Sequence, residues 1–315
     1  MSLTRRSFLG GSLMATAGCL SGLGRYPRHR SDYAGVQVGV ITFSYRSMTK
    51  APFATLRHAL GSGIGTIELM GADFEVDAGA PFAIKPPKER GKAESAALVG
   101  WRQKADVGLF KEVRRRYDDA GVDVHIVKFG KIGNASMSDE ETDYCFKVAQ
   151  ALGASAITRE IPDPKNFAAF REQALRLKTY TEKYGVKVAF HNHLQINETT
   201  YDGPLLDWND DFMINFDIGH FVAANDADPL DFVKKYHDRI FSIHLKDRTT
   251  KSHGQKNLPF GTGDTPLAGL FLLMQREGWD FPCDIELEYA IPKGSDAVKE
   301  VGVSNRYCRN IISSI

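Results

Sequence analysis

Eight short apolar runs recur along this sequence after residue 35, and most are followed by a longer segment with a helical pattern. They are rich in β-branched residues and cover residues 36–43, 65–70, 122–129, 154–160, 186–191, 213–217, 240–245 and 283–287. Alternation of strands with helices predicts a parallel sheet. Eight such units favour a closed α/β barrel, the (β/α)8 TIM barrel, and no GxGxxG turn of an open nucleotide-binding sheet follows the first run.

Six of the intervening segments have helical patterns, and several end in glycine before the next strand. They cover residues 53–62, 105–120, 138–152, 166–184, 229–237 and 266–278. Two further segments, 72–104 and 248–265, follow predicted strands and are too long for ordinary connections. Because the loops after the strands form the catalytic face of a barrel, we expect both segments to be lids over its mouth.

Composition is consistent with one globular domain and argues against nucleic acid as a partner. The chain has 315 residues, 43% of them hydrophobic, and we expect residues 31–315 to form a single barrel domain. Residues 1–30 hold five of the 40 basic residues and none of the 39 acidic ones, so the remainder is mildly acidic. A mildly acidic domain has no general attraction for nucleic acid, and we expect no nucleic-acid partner.

Residues 1–30 have the order of an export signal: positive charge, a short apolar stretch, then small residues. The pair Arg5-Arg6, followed by Phe-Leu, resembles the twin-arginine (Tat) signal, which a receptor reads to export folded proteins. The stretch ends either at an A-x-A cleavage pattern, residues 15–17, or at a sequence that resembles a lipobox around Cys19. The resemblance implies the Tat translocase as a partner and the periplasm as the compartment, with lipid anchoring through Cys19 as an alternative.

Ionisable residues accumulate at the carboxyl ends of five consecutive predicted strands, which is where a barrel of this class carries its catalytic groups. Side chains alternate along a strand, so residues two apart share a face and can point into the barrel mouth together. The five strand ends are Thr158-Arg159-Glu160, His191-Asn192-His193, Asp217-Ile218-Gly219-His220, His244-Leu245-Lys246-Asp247 and Glu286-Leu287-Glu288.

Asp217, His244 and Glu286 would converge from neighbouring strands. Without a cation, such groups would lose their hydration and repel one another in a closed mouth. The four cysteines are too scattered to form a zinc site, so histidine and carboxylate would be the ligands. This donor set suits Mn²⁺, Co²⁺, Zn²⁺, Ni²⁺ or Fe²⁺ better than Ca²⁺. The sequence therefore predicts a divalent metal cofactor, Mn²⁺ first, with Mg²⁺ among the alternatives.

In order and spacing, these strand ends resemble the xylose-isomerase-like barrels, which include the sugar phosphate isomerases/epimerases. The likeness covers about residues 36–312 and is carried by the segments YGVKVAFHNH (184–193), FDIGH (216–220), HLKD (244–247), FGTG (260–263) and IE (285–286). It implies a metal-dependent TIM-barrel enzyme with a small-molecule carbohydrate substrate, and a homo-oligomer is compatible with it.

The resemblance also implies a metal-ligand set. By position, Asp217, His244 and Glu286 resemble three of the family's ligands. Many members have a glutamate on the fifth strand as a further ligand and acid/base, whereas this chain has His191 there. Glu160, at the mouth of the adjacent strand, could supply the missing carboxylate. We expect Glu160, Asp217, His244 and Glu286 to bind the metal, with His191 as the rival of Glu160.

The remaining polar residues at these strand ends are candidates for proton transfer and substrate binding. His191 or His193 would move protons, since histidine suits that work near neutral pH. A cation at Lys246 would stabilise a developing enolate. His220 resembles the family's histidine that supports the metal site or binds substrate, and Glu288 would bind substrate or else be a solvated rim residue.

Three functions are consistent with these residues. The first is a metal-dependent sugar isomerase or epimerase that removes a proton beside the carbonyl of a non-phosphorylated sugar or keto-sugar. Members of the family with HNH on strand five resemble lyases that act on 3-keto-glycosides, so β-elimination at the glycosidic bond is an alternative on the same site. The second alternative is an exported carbohydrate-binding barrel without catalysis, which would bind sugar without depending on metal.

Overall fold

Eight parallel strands close into a barrel in the computed structural model, which describes residues 30–196, 200–201, 204–225 and 227–314. Each strand pairs with the next, and the first pairs with both the second and the last, which closes the ring. The strands are β1 (Val36–Ile41), β2 (Thr66–Met70), β3 (Asp123–Lys128), β4 (Ala156–Glu160), β5 (Lys187–His191), β6 (Phe212–Asp217), β7 (Ile240–Leu245) and β8 (Cys283–Ile285). The predicted (β/α)8 TIM barrel in a single unit is thus confirmed.

Helices surround the barrel, because most strand residues are buried on both faces and need a covering layer. The helices are α1 (Ala54–Gly61), α2 (Gly71–Asp77), α3 (Lys92–Arg102), α4 (Val107–Asp119), α5 (Asp139–Ala151), α6 (Phe167–Arg176), α7 (Lys178–Tyr184), α8 (Pro204–Asp207), α9 (Ile218–Asn225), α10 (Pro229–Tyr236), α11 (Leu267–Glu277) and α12 (Ala297–Ile312).

Local sequence explains several helix ends. Ser138 and Glu141 form a reciprocal capping box at the start of α5. Asp228 accepts the Leu230 N–H at the start of α10, where proline is tolerated because its missing N–H needs no helical partner. Gly185 adopts a left-handed conformation, φ 64°, at the end of α7. The predicted single helix over 166–184 is wrong in one respect, since it is interrupted between α6 and α7.

The two long segments predicted to be lids have structure of their own. Segment 72–104 contains most of α2 and all of α3. A bidentate ion pair joins these helices, in which Arg102 Nε and Nη2 donate to Glu75 at 2.6 and 2.9 Å. The Tyr144 hydroxyl of α5 donates to the same buried carboxylate at 3.0 Å. Segment 248–265 contains all but the first residue of a two-stranded hairpin, Asp247–Arg248 with Asn257–Leu258. The first segment is thus anchored to the helical layer rather than irregular.

Residues 1–29, which contain the predicted Tat signal and Cys19, lie outside the described residues. Among the helices of the described part, none is both long and apolar enough to cross a membrane.

The barrel floor contains a buried His125–Asp284 pair, Nε2 to Oδ2 2.9 Å, and Thr66 contacts the other ring nitrogen at 3.0 Å. Gly39 on β1 makes room for this pair, because a Cβ atom at that position would lie 2.1 Å from Asp284 Oδ1. His125 is therefore a satisfied structural histidine, and the space beside Gly39 is filled by a carboxylate.

Replacement of Gly39 by alanine should destabilise the barrel by about 1–3 kcal/mol, because the added methyl group overpacks the floor. Gly100→Ala in α3 is the matched control, since nothing lies within 4 Å of its added Cβ. That change should be neutral or stabilising by about 0.5–1 kcal/mol. Urea unfolding of both variants measures the difference, and equal stabilities would contradict the packing of the floor described above.

Candidate metal centre

Four buried side chains from consecutive strands meet at the mouth of the barrel. One potential ligand atom from each lies within 4.8 Å of the others, and the residues are His191, Asp217, His244 and Glu286. Three of them belong to the ligand set expected from the sequence. The fourth is His191, the rival candidate, rather than Glu160.

Strand register brings these side chains to one level. In the parallel pairing, Asp217 of β6 lies beside His244 of β7, and the Glu286 N–H donates to the Leu245 carbonyl at 2.9 Å. Asn192, which follows β5, clamps the peptide of Asp217: its Oδ1 accepts the Asp217 N–H at 2.8 Å and its Nδ2 donates to the Asp217 carbonyl at 3.0 Å. The backbone therefore fixes where the Asp217 carboxylate begins.

The two oxygens of Asp217 have different partners. Oδ1 accepts the N–H of His220 at 2.6 Å in the first turn of α9, so the residue does cap the helix that follows β6. Oδ2 instead lies at the centre, 2.9 Å from the Lys246 ammonium. Helix capping and a role at the centre are thus compatible in one side chain.

His191 presents a free lone pair to the centre. Its Nδ1 lies 2.7 Å from Asn215 Oδ1, while Asn215 Nδ2 donates to Glu68 at 2.9 Å and to Ser242 at 2.7 Å, which fixes the amide orientation. An amide oxygen only accepts, so Nδ1 of His191 carries the proton and Nε2 does not. That Nε2 atom is buried and has no hydrogen-bond partner. Burial, and then the charge of Lys128, hold the pKa of His191 well below its ordinary value.

Glu68, on β2, orients His244 from inside the barrel. Its Oε2 accepts from His244 Nε2 at 2.7 Å, and its Oε1 accepts the Thr158 hydroxyl at 2.8 Å. The other ring nitrogen, Nδ1, lies 3.0 Å from Glu286 Oε2. Burial alone would lower the pKa of His244, but Glu68 and Glu286 raise it to about 10. A carboxylate behind a histidine in this way is the usual support of a metal-ligating imidazole.

Lys246 neutralises the carboxylates of the centre. Its ammonium lies 2.9 Å from Asp217 Oδ2 and 3.0 Å from both Glu286 Oε2 and Glu288 Oε2. Burial opposes its charge, yet these carboxylates raise the pKa of Lys246 above its ordinary value. Burial likewise opposes the charge of Glu286, but Lys246 and His244 hold its pKa well below the usual range. Lys246 is therefore a charged group within the centre.

His220 and Glu288, the expected substrate-binding residues, lie beside Lys246. His220 Nε2 is 2.8 Å from the Lys246 ammonium, and its Nδ1 is 2.6 Å from Arg248 Nη1. Burial and then Lys246 lower the pKa of His220 to about 2, so this imidazole is neutral. The Glu288 side chain is 26% exposed and reaches the centre through Lys246. The structure thus brings both residues to the rim.

His193 stands between the other two histidines of the mouth. Its ring centroid is 4.8 Å from that of His191 and 5.0 Å from that of His220. Burial lowers its pKa, and within the described residues no hydrogen bond to its ring nitrogens is found. His193 is therefore a neutral imidazole available for contact with a ligand.

The structure does not bring Glu160, the fourth ligand preferred from the sequence, to the four-residue cluster. Its Cα is level with that of His191, but its side chain is 37% exposed and its Oε1 lies 3.7 Å from the Lys128 ammonium. Gly130 leaves space for the carboxylate there, because a Cβ at that position would meet the Glu160 side chain at 2.9 Å. Attraction to Lys128 thus holds Glu160 at the rim.

The glycine turn at 261–263 binds a side chain of this protein. Backbone N–H groups of Gly261, Thr262 and Gly263 donate to Asp247 Oδ2 at 2.8, 3.1 and 3.0 Å. A carboxylate of this protein therefore occupies the donors that could otherwise cradle a phosphate.

Sequence reasoning missed Glu68, Asn215, Lys128 and Arg248. A signal exists for the first two, because each is a polar residue between two apolar neighbours in a buried strand, TIELM and FMINFD. Such a residue needs a buried partner. The partner itself is not readable from the sequence, since it lies on a distant strand.

The donor set fits a divalent metal ion. The unpartnered Nε2 of His191, the carboxylates of Asp217 and Glu286, and Nδ1 of His244 supply two nitrogens and at least two oxygens. Zn²⁺, Mn²⁺ and Fe²⁺ accept such mixed sets.

The protein family described as "Xylose isomerase-like TIM barrel" matches residues 63–307 of this chain. Among curated proteins, none matches its sequence. Similar solved structures include the probable 3-DHS dehydratase AsbF of Bacillus anthracis (TM-score 0.63, 14% identity, 86% of this chain and 98% of that one). The IolI protein with a bound zinc atom (0.62, 13%, 89% and 99%) and an L-ribulose 3-epimerase (0.59, 13%, 89% and 95%) are also similar. At these identities the likeness shows a shared fold.

The His191→Gln variant should bind Zn²⁺ at least about 100-fold more weakly than wild type, because even outer partners of metal ligands contribute 10–100-fold. Glu160→Gln is the matched control and should bind Zn²⁺ like wild type. Titration calorimetry on protein stripped of metal measures both affinities. The reverse order, with Glu160→Gln impaired and His191→Gln intact, would return Glu160 to the ligand set.

Proposed function

This chain belongs to the xylose isomerase-like TIM barrel family, and we propose that it is a divalent-metal-dependent enzyme that removes a proton beside the carbonyl of a non-phosphorylated sugar or keto-sugar. The observation that carries the proposal is the buried cluster of His191, Asp217, His244 and Glu286, with an unpartnered Nε2 aimed into it. Internal use of the Gly261–Gly263 amides supports a substrate without phosphate.

A divalent ion bound at this cluster would polarise adjacent substrate oxygens and so lower the cost of removing the proton between them. Lys246 adds a fixed positive charge beside the same oxygens, where negative charge develops on deprotonation. Burial excludes water from these groups and so strengthens both interactions. His220 and Glu288 hold the Lys246 ammonium from the rim.

His193 is the proposed base. A neutral imidazole at the rim can accept a proton at neutral pH, and the ring of His193 has no competing hydrogen bond within the described residues. His191, the other histidine expected to move protons, is assigned to the ligand cluster because Asn215 fixes its protonated nitrogen away from the mouth.

One observation favours β-elimination from a 3-keto-glycoside as a second candidate on this site. Epimerisation through two carboxylates needs one on each face of the substrate, and the fifth-strand position supplies His191 instead of a glutamate. Elimination needs one base, and the imidazolium that His193 becomes on taking the proton can return it to the leaving oxygen.

Incubation of the metal-loaded protein in D₂O tests the shared step. We expect deuterium at the carbon beside the carbonyl of D-fructose or a 3-keto-glucoside, loss of this exchange with chelator, and a decrease of at least about 100-fold in Asp217→Ala. Mass spectrometry reads deuterium incorporation, and chromatography reads isomerised sugar or released aglycone.

Isomerised sugar would identify the isomerase or epimerase, and released aglycone would identify the lyase. Bound sugar without exchange or turnover in any condition would contradict both, and would leave a carbohydrate-binding barrel that is not an enzyme.

We also propose that the protein works in the periplasm after export by the Tat translocase, on the strength of the Arg5-Arg6 pair. The double change Arg5→Lys and Arg6→Lys keeps the charge but removes the receptor-read motif. The variant should accumulate in the cytoplasm, as cell fractionation would show. Unchanged periplasmic recovery of the double variant would contradict this proposal.

A further inference from the structure

Lys128 is a buried cation at the barrel mouth that the proposed chemistry does not use. It ends β3, and its Cα lies beside that of Thr158, whose hydroxyl points into the barrel and donates to Glu68. The Lys128 side chain therefore faces the interior as well, and it is only 8% exposed. Its ammonium makes no hydrogen bond to any described residue; the Glu160 carboxylate, 3.7 Å away, is its ion-pair partner.

Most of the Lys128 side chain is buried, but its ammonium nitrogen stays accessible at the mouth, where it has no hydrogen bond to a described residue and can meet a ligand. The charge is close enough to act on the centre: after burial, Lys128 is the next cause of the lowered pKa of His191. Glu160 completes the pair from the more exposed side of the rim. Lys128 and Glu160 thus form an ion pair in which the ammonium still has hydrogen bonds to donate.

One hydroxyl group can lie beside Lys128 and Glu160 and contact both. A separation of 3.7 Å is too long for a direct hydrogen bond, yet one oxygen can lie about 2.8 Å from both atoms at once. A hydroxyl group accepts through its oxygen and donates through its hydrogen. It could therefore accept from Lys128 and donate to Glu160, which satisfies both partners.

The pair lies across the barrel from Lys246. β3 and β7 are four strands apart in a ring of eight, so the two lysines face each other over the mouth. A molecule held at the cluster of β5 to β8 would extend its other end towards β3 and β4. The geometry places one recognition group at each side of such a molecule.

We propose that Lys128 and Glu160 together bind one hydroxyl group of a neutral polyhydroxylated substrate, across the mouth from the metal cluster. This rests on the proposed function for the identity of the site as a sugar site. The pair selects for a hydroxyl at that position, because a substrate that lacks it offers neither the acceptor for the ammonium nor the donor for the carboxylate.

Xylitol is the probe, since it carries five hydroxyl groups and no carbonyl and so binds without reacting. Saturation-transfer NMR of the zinc-loaded full chain compares wild type with Lys128→Met, Glu160→Gln and the double variant. Each single change should raise the Kd for xylitol about tenfold, the scale of a hydrogen bond to a charged group. The double variant should be no weaker than the weaker single variant, because both side chains hold the same hydroxyl.

The exposed pair of Lys178 and Glu182 on α7, 3.9 Å apart, is the matched control, and Lys178→Met and Glu182→Gln should bind xylitol like wild type. A purely structural role of the pair would lower the zinc content or the stability to urea of the Lys128 and Glu160 variants. We expect both quantities to equal those of wild type.

Equal xylitol affinity in wild type and variants, additive losses in the double variant, or failure of wild type to bind xylitol would each overturn the proposal. Loss of zinc or of stability in the single variants would assign the pair a structural role and overturn it too. Failure of the proposed catalysis is separable, because it would appear as absent deuterium exchange in wild type while the xylitol results stand.

Discussion

The metal centre depends on the hydrogen bonds of one carboxylate, that of Glu68, which is buried in the middle of the barrel. It accepts from His244 directly at 2.7 Å and from Asn215 at 2.9 Å, and Asn215 in turn fixes His191. One side chain on β2 thus determines which nitrogen faces the mouth in both histidines of the cluster. Glu286 and Ser242 add one contact each, to His244 and to Asn215, but Glu68 is the group that links the two histidines.

Charge balance explains how so many carboxylates share a closed space. Lys246 contacts Asp217, Glu286 and Glu288, and the imidazole of His244 lies between Glu68 and the same Glu286. These positive groups satisfy the same oxygens that a divalent ion would use. The barrel can therefore fold around the cluster before metal is bound.

The parts of this structure that follow from local pattern could be predicted from the sequence. Alternating apolar runs gave the eight strands, and the strand-end rule gave Asp217, His244 and Glu286 at the mouth. What failed depends on contacts between distant segments. Glu160 and His191 are both at the end of a strand, and only the position of Lys128 on a third strand explains why the first stays at the rim. The Gly261–Gly263 turn shows the same dependence on tertiary contacts, because its backbone N–H groups bind the carboxylate of Asp247.

The most direct test of the metal centre is a crystal structure of the metal-soaked protein with an anomalous difference map at the metal absorption edge. We expect a single strong peak at the mouth, about 2.0–2.2 Å from His191 Nε2, His244 Nδ1 and oxygens of Asp217 and Glu286. A mouth without an anomalous peak, or a peak bound by Glu160 with His191 turned away, would contradict the assignment of this cluster as a metal site.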